Sequence, residues 1–384
     1  MLTTNIKFKN FKIKKKTINI KKELISLLNE NNHVVNSLSK YYKNSFNKKT
    51  LFKYKKFSNY RIIGMGGSIL GTQAIYDFLN SKIKKNFCFI NNLCSFKKKK
   101  INQNFLNLIV SKSGNTIETI VNANIFIKKN EKSIFITENK KNYLHTLAKK
   151  LKSDIIHHNN YIGGRYSVLS EVGMLPAELM GLNSNKFKQL NNLVKNKNFL
   201  NNLISNVNST LYFLKNKKFN SIIINYDQKS NNLFNWYQQL IAESLGKNKN
   251  GLLPIISNMP KDNHSVMQLY LDGFKNNFFT FFYVKEKKSL KVNNKEILPM
   301  QNYLKNSDLD KIIFAQKKAT ENIFKKKNIP FRSFEINKRD EKTLGELFCF
   351  FMLETILIGR ALKINPFDQP AVELIKKETK KILI

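Results

Sequence analysis

Tyr60-Arg61-Ile62-Ile63-Gly64-Met65-Gly66-Gly67-Ser68-Ile69-Leu70-Gly71 decides the fold. A short apolar run ends at Gly64, glycines follow, and apolar spacing over 69–79 becomes helical. A switch from strand to helix across a glycine turn opens a parallel α/β unit. Further short apolar runs follow at 87–90, 105–110, 133–137 and 154–156, with helical stretches between several of them. The pattern resumes at 221–225, 252–256, 278–284 and 331–336, with a helix over 232–245. Alternation of this kind predicts helix-covered parallel sheets. The fold class is therefore α/β, as two tandem αβα units with mainly parallel sheets.

Outside these runs the pattern is helical. Residues 20–56 carry Ile20, Leu24, Leu27 and Leu28, then Val34, Val35 and Leu38. A Lys/Asn-rich stretch from 183 to 218 keeps spaced apolar positions, which suits connecting helices. Residues 345–362 form a long apolar helix, followed by Asn365-Pro366 and a short terminal helix. This divides the chain into an N-terminal helical segment (1–45), a first αβα domain (46–185), a second (186–345) and a C-terminal helical tail (346–384).

The chain has 384 residues, 42% of them hydrophobic, enough for folded cores of more than one domain. Its 67 Lys+Arg against 26 Asp+Glu give a net charge of +41, which first suggests a polyanion partner. Only five basic residues are Arg, the residue best suited to reading base edges. Lys is spread from Lys7 to Lys381 beside abundant Asn, Ile and Phe, a bias that A/T-rich codons produce without selection for nucleic acid. No nucleic-acid partner is expected. Three cysteines (Cys88, Cys94, Cys349) offer no paired framework and read as buried thiols of a reducing compartment. No apolar run reaches the roughly 18 residues of a membrane span, and the Lys-rich start lacks a signal-peptide core. The expected location is the cytoplasm, with no membrane contact.

Chemistry concentrates in five places. Seven of the 14 glycines lie between Gly64 and Gly164, so each cluster marks a backbone constraint. The 64–71 loop fits neither GxGxxG nor a Walker loop and reads equally as a ligand loop or a tight turn. Ser111-Lys112-Ser113-Gly114-Asn115-Thr116-Ile117-Glu118-Thr119 places hydroxyls, one Lys and one Gly at a helix start, which suits phosphate. Asn115 as N-cap with Glu118 at N3 also makes an ordinary capping box. Gly163-Gly164-Arg165 can aim a guanidinium at an anion or be a surface turn. Glu243 lies in the last turn of its helix, where the dipole opposes carboxylate ionisation and suits a base, although a Glu in that position is usually just solvated; Gly246 is placed as the C′ residue. His264 sits at a helix start in Asp262-Asn263-His264-Ser265, where a capping role is as plausible as a chemical one. No His/Cys/Asp/Glu group has metal-ligand spacing, so no metal is expected.

Together the blocks GMGGSILG (64–71), SKSGNTIET (111–119), GGRYSVLSEVGMLP (163–176), QLIAESLGK (239–247), DNHSVMQLYLDG (262–273) and NPFDQPAVELIK (365–376) resemble the glucose-6-phosphate isomerase (phosphoglucose isomerase) family, in the family's order. The resemblance implies two tandem SIS-type αβα sandwich domains in a homodimer, and a role in glycolysis and gluconeogenesis without a cofactor. By position it implies that Glu243 moves a proton between C1 and C2 of the open sugar and Arg165 stabilises the enediolate. His264, supplied across the dimer interface, and Lys376 would assist ring opening. Gly67, Ser68, Gly164 and Gln369 would contact substrate, while Ser111, Lys112, Ser113 and Thr116 hold the phosphate. An aldose–ketose interconversion needs a base, a cation for the enediolate and a phosphate anchor, and the sequence offers a candidate for each.

The chain departs from the family in being shorter, with Ala371 where Gly is usual, Asn115 where Glu is common and a bulky Ile375 before Lys376. The extra methyl at 371 bears on the placement of Lys376. Two other readings are weighed beside this one: an isomerase that also takes mannose 6-phosphate, and a non-catalytic SIS sugar-phosphate-binding protein or basic nucleic-acid binder.

Overall fold

The computed structural model describes residues 1–11, 13, 19–93, 104–128 and 130–384. A short first strand, β1 (Ile6–Lys9), precedes two sheets. The first contains β2 (Asn59–Gly64), β3 (Asn86–Ile90), β4 (Leu106–Val110), β5 (Lys132–Glu138) and β6 (Asp154–His158), all parallel, in the order β3-β2-β4-β5-β6. The second contains β7 (Asn220–Asn225), β8 (Leu253–Asn258), β9 (Asn277–Val284) and β10 (Phe331–Ile336), in the order β1-β10-β9-β7-β8. There β1 alone runs antiparallel, with Ile6 opposite Ile336.

That strand corrects the all-helical expectation for residues 1–45. Ile6-Lys7-Phe8-Lys9 alternates apolar and charged, with Ile6 buried and both lysines exposed, a period-2 pattern short enough to be overlooked. Outward lysines also suit an edge strand, since they discourage further pairing. Central strands read differently because both of their faces are covered: every residue of β4 and of β9 is buried.

The expected 346–384 tail has two unlike parts. The Glu341–Ala361 helix is buried continuously from Thr343 to Gly359 and packs on the Ile20–Asn29, Lys197–Lys215 and Asn231–Leu245 helices. A helix apolar on every side needs such surroundings. Glu354, the acid in its apolar run, is held by the buried Arg332 guanidinium and by the Tyr237 hydroxyl at 3.2 Å. The Val372–Ile382 helix, by contrast, has no buried residue.

Cysteines divide too. Cys349 is buried, and burial pushes its thiol up to about 12. Cys88 is exposed, against expectation, because β3 is an edge strand; Cys94 lies outside the described residues. Among the described residues no helix is long and apolar enough to cross a membrane, and no three His, Cys, Asp or Glu side chains are grouped to hold a metal.

In each sheet the first strand sends its successor to one side and the next strand to the other. The crevices at the carboxyl ends of β2/β4 and β7/β9 are therefore topological switch points, where open α/β sheets receive ligands. Gly64 lies opposite Val110 at the first and Asn225 opposite Phe282 at the second.

Candidate active site

Both glycine-rich loops of the first unit leave from its switch point. After Gly64 the chain makes a 3-10 turn, Gly66–Ser68, then the Leu70–Phe78 helix. A Cβ on Gly67 would lie 2.1 Å from the Gly164 carbonyl carbon, so a side chain there would push the first loop off the Gly163-Gly164-Arg165 turn. Ser68 is half-buried beside this contact.

After Val110 the 111–116 loop leads into the Ile117–Phe126 helix, whose N-cap is Thr116. The expected capping box at Asn115 and Glu118 does not form. Asn115 Oδ1 instead accepts from the Tyr143 N–H at 3.0 Å, tying the loop to the next helix. Gly114, at φ +66°, turns the chain back where a Cβ would lie 2.0 Å from Asn142 Oδ1. Ser111 is buried, 2.9 Å from the Thr116 hydroxyl, while Ser113 is exposed. Lys112 stands 3.6 Å from Glu138, which Lys140 also approaches at 3.5 Å. The loop thus presents hydroxyls, helix N–H groups and a cation on one edge of the crevice, a fit for a phosphate-sized anion.

Arg165, on the turn that packs against Gly67, is the hub that joins the first unit to the second. Its guanidinium is buried, and each of its five N–H groups meets an acceptor. Nε donates to Ser244 Oγ at 2.8 Å, and Nη2 donates to the carbonyls of Pro366 (2.7 Å) and Asp368 (2.9 Å). Nη1 donates to Gln369 Oε1 at 2.5 Å and to Glu243 Oε2 at 3.3 Å, the longest of the five. Glu243 and Ser244 come from the end of the Asn231–Leu245 helix. Gly246 is the C-cap of that helix rather than its C′ residue: φ is −76° and its N–H donates to Ala242 O.

Glu243 is the site's acid. Its side chain is 29% exposed, with Oε2 facing Arg165 and Oε1 accepting from Gln239 Nε2 at 2.8 Å. Among the described residues Gln239 Oε1 is buried without a partner, and so it is an acceptor in waiting for an incoming hydroxyl. A cavity of about 770 Å³ opens beside Glu243 and Gln369, between the helix end and the 365–372 segment.

Two implied residues stand apart. His264 is exposed in the Lys261–His264 turn, with no hydrogen bond to Arg165, Glu243 or Gln369 among the described residues. Lys376 lies on the exposed terminal helix, its ammonium 2.6 Å from Glu373 Oε1 one turn away. The site also holds groups that sequence reasoning missed. Gln239 is four residues before Glu243, hence on the same helix face, a spacing that could have flagged it. Ser244 is Glu243's neighbour. Tyr166, whose hydroxyl is 2.9 Å from Ser244 and donates to Pro366 O at 3.2 Å, gave no signal beyond adjacency to Arg165. Burial pushes the Tyr166 phenol up to about 12, with Arg165 opposing, so it stays a neutral donor.

The chain is similar to known proteins along most of its length. The phosphoglucose isomerase family model matches residues 19–384. The chain is 35% identical to a glucose-6-phosphate isomerase of Methanocaldococcus jannaschii over 85% of each chain. It is 34% identical to that of Mycoplasmopsis pulmonis, covering 84% of this chain and 82% of the relative. Its fold is similar to a hypothetical protein of Thermus thermophilus (TM-score 0.82, 21% identity, 95% and 94% covered). It is also similar to a glucose-6-phosphate isomerase of Chlamydia trachomatis (TM-score 0.72, 19% identity, 91% and 72% covered). With a match spanning nearly all of the chain, the sequence belongs to the phosphoglucose isomerase family.

Proposed function

We propose that this chain interconverts glucose 6-phosphate and fructose 6-phosphate through a cis-enediol(ate). One observation carries the reading: a partly exposed carboxylate, Glu243, is held by Arg165 on one oxygen and Gln239 on the other, at the mouth of a cavity. In this reading Glu243 takes the C2 proton of the open aldose and returns it to C1, while the O2 proton passes to O1. The negative charge that develops on oxygen turns to Arg165 Nη1, whose 3.3 Å contact with Glu243 is its weakest. The unpartnered Gln239 Oε1 accepts a sugar hydroxyl, and Ser111, Lys112, Ser113 and Thr116 hold the phosphate. Gly67, Ser68 and Gly164 line the sugar.

The same reading takes the chain as a cytoplasmic homodimer. Exposed apolar side chains support a second copy: Leu298 (71%), Met300 (88%) and Tyr303 (76%) on the 285–308 arm, and Leu374 and Ile375 on the terminal helix. His264, exposed and without a hydrogen bond to its own Glu243 among the described residues, would then serve the partner's site. Docking of the terminal helix would bring Lys376 to the ring oxygen.

The test is a coupled assay with fructose 6-phosphate, with mannose 6-phosphate in parallel to set substrate scope. Glu243→Gln is expected to lower kcat by about 10³-fold while KM moves by less than about threefold. Undiminished turnover in that variant would remove Glu243 as the base.

A further inference from the structure

Beyond the residues given roles above, Lys247 has an environment that demands an explanation. It follows the C-cap of the helix that carries Glu243 and Ser244, yet its side chain is only 12% exposed. A lysine so placed usually reaches for solvent. Here its ammonium instead donates to the Asn365 carbonyl, the Asp368 carbonyl at 2.6 Å and Asp368 Oδ1 at 2.8 Å. Three N–H donors thus meet three oxygens of one short segment. The segment is closed on itself as well: Asn365 Oδ1 accepts from the Phe367 N–H at 3.0 Å and Asn365 Nδ2 donates to Asp368 Oδ2 at 3.1 Å. Lys247 also holds the Asp368 carboxyl below its usual range.

From the other side Arg165 donates to the carbonyls of Pro366 and Asp368. The Asn365–Asp368 turn is therefore gripped by two cations, and its Asp368 carbonyl receives both. Gln369, which meets Arg165, is the next residue, and the exposed Val372–Ile382 helix with Lys376 begins three residues later. No residue of that helix is itself buried, so its root is its anchor.

We propose that Lys247 is a positioning residue: it latches the Asn365–Asp368 turn to the Glu243 helix and so sets the place of Gln369 and the root of the Lys376 helix. It touches no reacting atom and acts through the turn. The kinetic part of this inference rests on the isomerase reading; the structural part does not. Because the phosphate loop lies on other elements, loss of the latch should reach turnover and leave substrate capture alone.

The test compares wild type, Lys247→Met and Lys247→Arg by steady-state kinetics with fructose 6-phosphate and by amide hydrogen exchange. A misplaced site group can cost about 10²-fold, so kcat of Lys247→Met should fall at least about tenfold with KM within about threefold. Amides of 365–376 should exchange at least about tenfold faster, with those of 106–126 unchanged. Lys247→Arg, which keeps a multiple donor, should recover most of both losses. If Lys247→Met fails to fold, Asp368→Asn, which weakens one of the three contacts, should show the same signature at smaller size. Unchanged kcat, or unchanged exchange over 365–376, overturns the proposal. Inactive wild-type protein would instead refute the isomerase reading, and exchange alone would then decide on the latch.

Discussion

At the carboxyl ends of β2 and β4 the chain runs loops rich in glycine and hydroxyls; at the matching ends of β7 and β9 it places Asp227 and Glu286 with an arginine between them. Arg339 donates to Asp227 Oδ1 and Glu286 Oε1, both at 2.8 Å, and to Asp227 Oδ2 at 3.2 Å. It also reaches the Phe78 carbonyl in the first unit at 3.4 Å, and Lys229 adds a contact to Glu286 at 3.1 Å. The two sheets share a switch-point topology, yet one crevice is bordered by glycines and hydroxyls and the other is filled by the chain's own ion pairs. The second crevice has become a joint between the units. Topology therefore marks where a ligand could sit, and the residues at the strand ends decide whether one does.

The sharpest way to break this comparison is to empty the second crevice. Arg339→Met leaves Asp227 buried without its cation, and breaking such a pair costs about 3–5 kcal/mol. Denaturant unfolding should show that loss, while kcat/KM of the folded variant stays within about threefold of wild type. Adding Asp227→Asn should return part of the stability, because the stranded charge is gone. A large fall in kcat/KM for folded Arg339→Met would make the second crevice functional and void the contrast.

The complementary change weakens the first crevice. Lys112→Ala removes the cation of the 111–116 loop but leaves its ties to the next helix, the Leu144 N–H to Gly114 O and the Tyr143 N–H to Asn115 Oδ1, intact. The expected result is a rise in KM of about tenfold with kcat nearly unchanged, and a flatter dependence of kcat/KM on salt. Stability should hardly move, because Glu138 keeps Lys140.

How much of this the sequence disclosed follows the same division. Strands and their glycine exits were legible because period 2, period 3.6 and glycine clusters are local patterns: 331–336 coincides with β10, and 278–284 misses β9 by one residue. The Ile6–Lys9 strand was not legible, since four residues pair only once β10, some 325 positions away, is in place. Arg165 and Glu243 could be singled out by residue type and setting. Ser244, Tyr166 and the Pro366 and Asp368 carbonyls could not, because a buried guanidinium's partners are fixed by tertiary packing. Arg339 shows the converse: a rare arginine in a Lys-rich chain invites a functional reading, and its place is structural.

The smallest expected effect concerns what lies behind the Arg165 turn. Lys188 is buried, and its ammonium donates to the carbonyls of Ser37 (2.6 Å) and Leu169, the last residue of that turn. Among the described residues no carboxylate pairs with it directly; the ring of Tyr42 lies 4.7 Å away and Glu171 acts at longer range. Burial pushes its pKa down from 10.5 to about 7, with Cys349 and Glu171 opposing. Between these values the unfolded chain binds a proton that the folded chain does not. This group's share of stability therefore rises as pH goes up from about 7 to 10.5, by at most about 1.4 kcal/mol per pH unit. The two carbonyls favour the charged form, so the measured slope should fall below that ceiling. Unfolding free energies of wild type and Lys188→Met across this range should shift relative to each other in favour of wild type as pH rises, since the variant lacks the Lys188 component. Parallel curves would mean that Lys188 keeps its proton in the fold, and that the turn carrying Arg165 is tied down by a permanent charge, as the second crevice is by Arg339.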